Sequence, residues 1–106
     1  MITKTELKDG TTRIIFTVQD ERPVSVVGDF NDWNPLAHEL VKRSNGTRSV
    51  ALTVPTGTSL CFRYLADGGE FYDDPDADLI EPNGMGGTHC VVTASASQQT
   101  PRDFSI

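Results

Sequence analysis

Apolar residues recur at every second position along this chain, in short runs separated by polar turns. The clearest run covers residues 12–18, with Ile14, Phe16 and Val18 on one side and Arg13, Ile15 and Thr17 on the other. Residues 48–54 repeat the pattern with Val50, Leu52 and Val54 inward. Residues 60–66 put Leu60, Phe62 and Tyr64 inward and Cys61, Arg63 and Leu65 outward. A period of two is a strand period, because successive side chains of an extended backbone point to opposite faces. Further strands are expected at residues 2–7, 24–28, 70–72 and 88–93, with a short edge strand at 39–43. Turn formers stand between them: Lys8-Asp9-Gly10, Asn45-Gly46, Pro55-Thr56-Gly57 and Asp67-Gly68-Gly69. Residues 30–36 are expected as a loop, since Pro35 has no N–H for a sheet ladder. Residues 73–78 read as an acidic, solvated turn, and residues 81–87 as a loop too rich in glycine for regular structure. No stretch has a helical period of useful length. The pattern predicts an all-β fold, an antiparallel β-sandwich of about seven to eight strands over residues 1–94. Residues 95–106, rich in Ser, Gln and Thr, are expected as a flexible tail.

The 106 residues amount to one domain with a single core. Nine Lys and Arg stand against fifteen Asp and Glu, a net charge of −6. That field repels phosphate backbones and anionic membranes, so neither nucleic acid nor membrane is an expected partner. Cys61 and Cys90 are the only cysteines, and the first residues carry no apolar signal core. A cytoplasmic protein with two free thiols is the expectation. No cofactor or metal is expected. Two cysteines without a histidine pair do not make a zinc site, and the acidic stretch lacks the glycine and terminal Glu of an EF-hand loop. His38 and His89 are isolated, and no nucleophile elbow, P-loop or dinucleotide fingerprint is present. The expectation is a non-catalytic protein.

The candidate chemistry is aromatic. Trp33, the only tryptophan, lies outside any expected strand, after Gly28 and before Asn34-Pro35. Its position leaves two readings open, a core residue or a surface platform. An exposed indole beside Asn and Asp suits a sugar ring, whose C–H face stacks on the aromatic and whose hydroxyls need planar polar partners. Phe71 and Tyr72 are adjacent, so one faces the core and the other outward. Arg63 falls on the outer face of its strand, as a solvated residue, an ion-pair partner or a ligand contact.

Several blocks taken together resemble the family 48 carbohydrate-binding modules. They are Val-Ser-Val-Val-Gly-Asp-Phe-Asn-Asp-Trp-Asn at 24–34, Val-Ala-Leu-Thr-Val-Pro-Thr-Gly at 50–57 and Phe-Arg-Tyr-Leu-Ala-Asp-Gly at 62–68. Asp-Asp-Pro at 73–75 and Pro-Asn-Gly-Met-Gly-Gly-Thr at 82–88 follow in order. That family includes the N-terminal early-set domains of isoamylases and branching enzymes, and the glycogen-binding domain of the AMP-activated protein kinase β subunit. The resemblance implies an immunoglobulin-like sandwich that binds α-1,4-glucan such as glycogen or maltooligosaccharide. As the alternative, it allows a protein-interaction or spacer module that accompanies a glycogen-metabolising enzyme and binds no sugar itself. By resemblance, Trp33 matches a sugar-stacking tryptophan and Arg63 a lysine that bonds glucose hydroxyls. Phe71 falls near a second stacking tryptophan, with Tyr72 as its alternative. Met85 and Gly86 lie in a loop that brackets the sugar, and Cys90 falls where the kinase-type domain has a sugar-binding asparagine. Phe71 offers a smaller platform than Trp, and Cys90 lacks an amide that could bond two hydroxyls.

Overall fold

The computed structural model describes residues 1–82, 84 and 86–94. Nine strands occur among them: β1 (Ile2–Glu6), β2 (Thr11–Val18), β3 (Val24–Gly28), β4 (Val41–Lys42), β5 (Arg48–Pro55), β6 (Ser59–Ala66), β7 (Glu70–Tyr72), β8 (Leu79–Pro82) and β9 (Thr88–Thr93). They form two antiparallel sheets, one in the order β1-β2-β5-β4 and the other β3-β6-β9-β8, with β7 also paired to β6. The predicted antiparallel β-sandwich is the observed fold. No helix among the described residues is long and apolar enough to cross a membrane. The expected tail at 95–106 lies outside the described residues.

The alternating pattern sets the packing. Ile14, Phe16 and Val18 of β2 face Val24 and Val26 of β3, Leu60, Phe62 and Tyr64 of β6, and Val92 of β9 in one buried cluster. Each large apolar side chain removed from water contributes about 1.5–3 kcal/mol before entropy is charged against it. Phe16 is the hub. Its ring meets Phe62 edge-on at 4.9 Å and Tyr64 edge-on at 6.5 Å, and Phe30 stacks beside it at 6.5 Å.

Two expectations needed correction. Residues 79–82 form β8, although residues 81–87 read as irregular loop. The strand escaped because its apolar residues Leu79 and Ile80 are both exposed, so it has no buried face to impose alternation. Its register on β9 comes from backbone pairing, Leu79 opposite Val91 and Glu81 opposite His89. The acidic stretch at 73–78 is a turn, exposed at Pro75, Asp76 and Asp78, but not all of its carboxylates are left to solvent. Asp74 is 1% exposed and its carboxylate accepts from the Tyr64 hydroxyl at 2.6 Å and from the Asp76 N–H. Asp78 takes Lys4 Nζ from β1 at 2.7 Å and the Thr93 N–H from β9 at 2.7 Å, tying one sheet to the other.

Candidate functional site

The loop after β3 is built around one close approach. A Cβ on Gly28 would sit 2.2 Å from the Cys61 carbonyl oxygen and 2.6 Å from the Phe30 ring, so only glycine fits there. Asp29 then extends the contact with β6, donating its N–H to the Cys61 carbonyl and accepting the Cys61 N–H on Oδ1. Asn31 pins the turn. Its side-chain oxygen accepts from the Gly28 N–H, and its amide nitrogen donates to the Val26 carbonyl and faces His38 Nδ1 at 2.9 Å. The loop returns along β3 through bonds from the Val26 N–H to His38 and from the Leu40 N–H to Val24. The Ser25 hydroxyl donates to the Pro35 carbonyl at 2.7 Å. β3 is therefore buried along its whole length.

Within this loop Asp32 and Trp33 both adopt left-handed backbone, φ 57° and 58°. An L-residue there costs roughly 1–2 kcal/mol, and a bulky one is an outlier. The Trp33 N–H donates to the Gly28 carbonyl at 2.9 Å, and the residue is 43% exposed. Of the two readings left open by its sequence position, core is excluded by that exposure.

β6 changes partner along one edge. Its first half, Ser59 to Phe62, pairs with β9, and its second half, Tyr64 to Ala66, pairs with β7. Arg63 lies at the change, opposite Val27 of β3. Asp73, the first residue after β7, fills the gap. It accepts Arg63 Nε on Oδ1 at 3.0 Å and the Thr88 hydroxyl on Oδ2. Burial works to raise the Asp73 carboxyl, but the Thr88 hydroxyl and Arg63 guanidinium outweigh it and hold it below the usual carboxylate range. Arg63 Cζ stands 5.5 Å from the centre of the Phe71 ring, within cation–π range. Among the described residues Arg63 bonds through Nε alone, so both terminal nitrogens remain available as donors.

The alternation at 71–72 resolves cleanly. Phe71 points outward and is 48% exposed. Tyr72 points inward, its ring 5.4 Å from Tyr64 and its hydroxyl donating to Asp20. Burial, then Asp20, pushes the Tyr72 phenol up to about 12. Tyr72 is thus no sugar platform. Gly86 is exposed in the turn before β9, with a left-handed backbone and open space where a Cβ would stand. Met85 lies outside the described residues.

Cys90 requires a correction. The resemblance put it at the ligand face, but its side chain is wholly buried between the sheets. Its Sγ accepts the Asp74 N–H at 3.2 Å, and burial raises the thiol to about 11. Position 90 pairs with Phe62, an inward residue, so parity alone turns it away from any surface ligand. Cys61, by contrast, points outward two residues before Arg63, and both cysteines are free. Its thiol is raised by burial and then by the carboxylates of Asp29 and Glu81.

The structure thus brings Arg63 and Phe71 into contact on the outer face of the second sheet, with Trp33 rising from the loop whose base is tied to the same stretch of β6. A concavity of about 370 Å³ borders the loop, with Pro35 and Leu36 on one wall and Leu65 and Gly68 on the other. A second, of about 500 Å³ and lined by Asp20, Arg22, Tyr72 and Asp74, contains neither exposed aromatic. No group of His, Cys, Asp and Glu among the described residues could hold a metal ion.

The architecture defines an antiparallel β-sandwich domain with an open aromatic face. No protein-family model and no curated protein matches the chain. Solved structures do share its fold. The crystal structure of ferric enterobactin esterase from Salmonella typhimurium superposes with a TM-score of 0.71 over 89% of this chain, at 10% sequence identity. The chain spans about a third of that esterase, 34% of its length. At that identity the likeness is one of fold.

Proposed function

We propose that this chain is a non-catalytic module that binds α-1,4-glucan, such as glycogen or maltooligosaccharide, on the outer face of its second sheet. The reading rests on the family resemblance in the sequence, and one structural observation supports it above the rest. Phe71 is about half exposed and carries the Arg63 guanidinium against its ring, with that guanidinium's terminal nitrogens unengaged among the described residues. An apolar ring face next to free planar donors is what a sugar needs for its C–H face and its hydroxyls. Trp33 supplies a further platform, and Gly86 leaves room beside β9. Met85 joins the site by resemblance alone. Cys90 is no longer part of it.

An open site that stacks on a few rings has a small contact area, so dissociation constants from roughly micromolar to millimolar are expected. A branched glucan with many equivalent ends raises the apparent affinity by avidity. In keeping with its two free thiols, we place the protein in the cytoplasm, alongside a glycogen-metabolising enzyme. Native gels cast with glycogen test the reading. The wild type should be retarded, and Trp33→Ala and Phe71→Ala should each run as in a plain gel. A wild type that glycogen does not slow would end the proposal.

A second reading has its own support. Leu36 is 78% exposed beside the loop concavity, and Leu79 and Ile80 of β8 are also exposed. Those residues suit a protein-interaction or spacer role on the same fold. It would be favoured if Leu36→Asp abolished association with a glycogen-metabolising enzyme and glycogen never slowed the wild type.

A further inference from the structure

We propose that Asp73 is a specificity-determining residue of the glucan face: by holding Arg63 in a closed ion pair it admits uncharged hydroxyls and excludes glucans carrying phosphate or carboxylate substituents. The inference rests on the glucan reading above. A guanidinium on a binding face ordinarily draws anions, because its planar fork matches two oxygens of a phosphate or carboxylate. Here the ion pair offsets the charge of the guanidinium and takes only one of its donors. Asp73 Oδ1 takes Nε at 3.0 Å, and each side chain is only 22% exposed, so water screens the pair incompletely. The other carboxylate oxygen is bound by the Thr88 hydroxyl of β9, which stops Asp73 from swinging off Arg63. The carboxyl is also held below its ordinary range, so it stays ionised at neutral pH.

The remaining donors are the terminal nitrogens, which can bond sugar hydroxyls without offering net positive charge. Asp29 bonds the Cys61 N–H next to Arg63 in the same strand, and Glu81 takes up His89 at 3.1 Å. Both carboxylates act on the outward Cys61 thiol, so their field reaches the face. An anionic substituent would meet a neutralised Arg63 flanked by carboxylates, which is discrimination by repulsion.

The test is calorimetric titration of the full chain with maltoheptaose and with 6-phosphorylated maltoheptaose, at low and high salt. The wild type should prefer the neutral sugar by about tenfold or more. Asp73→Asn keeps an oxygen for Arg63 Nε, turns an amide N–H toward the Thr88 oxygen, and removes the charge. It should close the gap between the neutral and the phosphorylated sugar, and make binding of the phosphorylated sugar weaken as salt rises. Thr88→Val frees Asp73 to swing off Arg63 and should narrow the gap by less than Asp73→Asn does, since the charge remains nearby. Arg63→Gln combined with Asp73→Asn should lose the gain. A folded Asp73→Asn with an unchanged ratio overturns the proposal. So does a wild type that binds both sugars equally, a result independent of any variant's folding. A wild type that binds neither sugar overturns the glucan reading itself, whereas neutral binding without discrimination overturns only the role of Asp73.

Discussion

The loop at 29–40 has two aspartates among its twelve residues and the loop at 73–78 has four among six, and the two loops put them to opposite uses. In the first, polar groups are spent on the backbone: Asn31 and Asp29 clamp the turn to β3 and β6, and Trp33 is left half in solvent. In the second, Asp74 faces inward under Tyr64, Asp78 reaches across the sheets between Lys4 and Thr93, and Asp73 holds Arg63 on the outer face. Neighbours decide the role. A carboxylate beside a buried tyrosine hydroxyl becomes structure, and an indole held out on left-handed backbone becomes surface. The contrast predicts that Asp74 and Asp78 of the second loop carry stability, and that Trp33 of the first carries binding.

The largest expected effect lies in the second loop. Asp74→Ala strands the buried Tyr64 hydroxyl and the Asp76 N–H, and should cost about 3 kcal/mol. Urea unfolding would show a lowered midpoint, while the folded fraction keeps its retardation in glycogen gels. A loss below about 1 kcal/mol would break the contrast. Asp74→Asn, which still offers an oxygen to Tyr64, should cost clearly less.

Next comes Gly28, the end of β3, where the first loop leaves the sheet against β6. Gly28→Ala forces a methyl onto the Cys61 carbonyl and the Phe30 ring, and overpacking of this kind costs about 2 kcal/mol. The Phe30 ring could turn aside, but the carbonyl belongs to the β6 ladder. The variant should therefore lose stability in urea and shift Trp33 fluorescence together, since the turn at Gly28 also anchors the Trp33 N–H.

The strands with one buried face could be read directly from the chain, because burial of Phe16, Phe62 and Tyr64 enforces alternation in the sequence itself. The same parity separates Phe71 from Tyr72 once their strand is placed on β6. Parity also held the information that Cys90 faces inward, since it alternates with His89 and Val91 and shares its side with the buried Val92. A residue-by-residue match to a family carried it to the ligand face instead. The edge strand β8 had no such signal, because its partners are backbone groups. The engagement of the acidic loop was hidden for a related reason: hydrogen bonds spanning from Asp78 to Lys4 leave no local pattern. Trp33 was ambiguous since its exposure depends on backbone angles that side-chain identity does not dictate.

A third prediction addresses that tryptophan. Trp33→Ala removes a ring that is 43% exposed and touches no other aromatic ring among the described residues, so the cost should be about 1 kcal/mol. Glycogen retardation should nevertheless disappear. Stability loss as large as that of Asp74→Ala would make the indole a packing residue and move the site away from the loop.

The smallest effect has the opposite sign. Asp32 holds φ 57° immediately before Trp33, and glycine adopts that backbone without steric cost. Asp32→Gly relieves about 1–2 kcal/mol of left-handed strain, and the greater freedom of glycine in the unfolded chain takes back about 0.5–1 kcal/mol. A net gain of about 0.5 kcal/mol in urea unfolding should result. Binding should move the other way. Two consecutive left-handed residues fix the direction of the indole, and a glycine lets the platform wander, so each bound sugar must then order it. If Asp32→Gly is both more stable and weaker in glycogen gels, the strain is retained for presentation of Trp33. If stability and retardation rise together, the left-handed pair is only the route by which the chain leaves β3, and the first loop is organised by Gly28 and Asn31 alone.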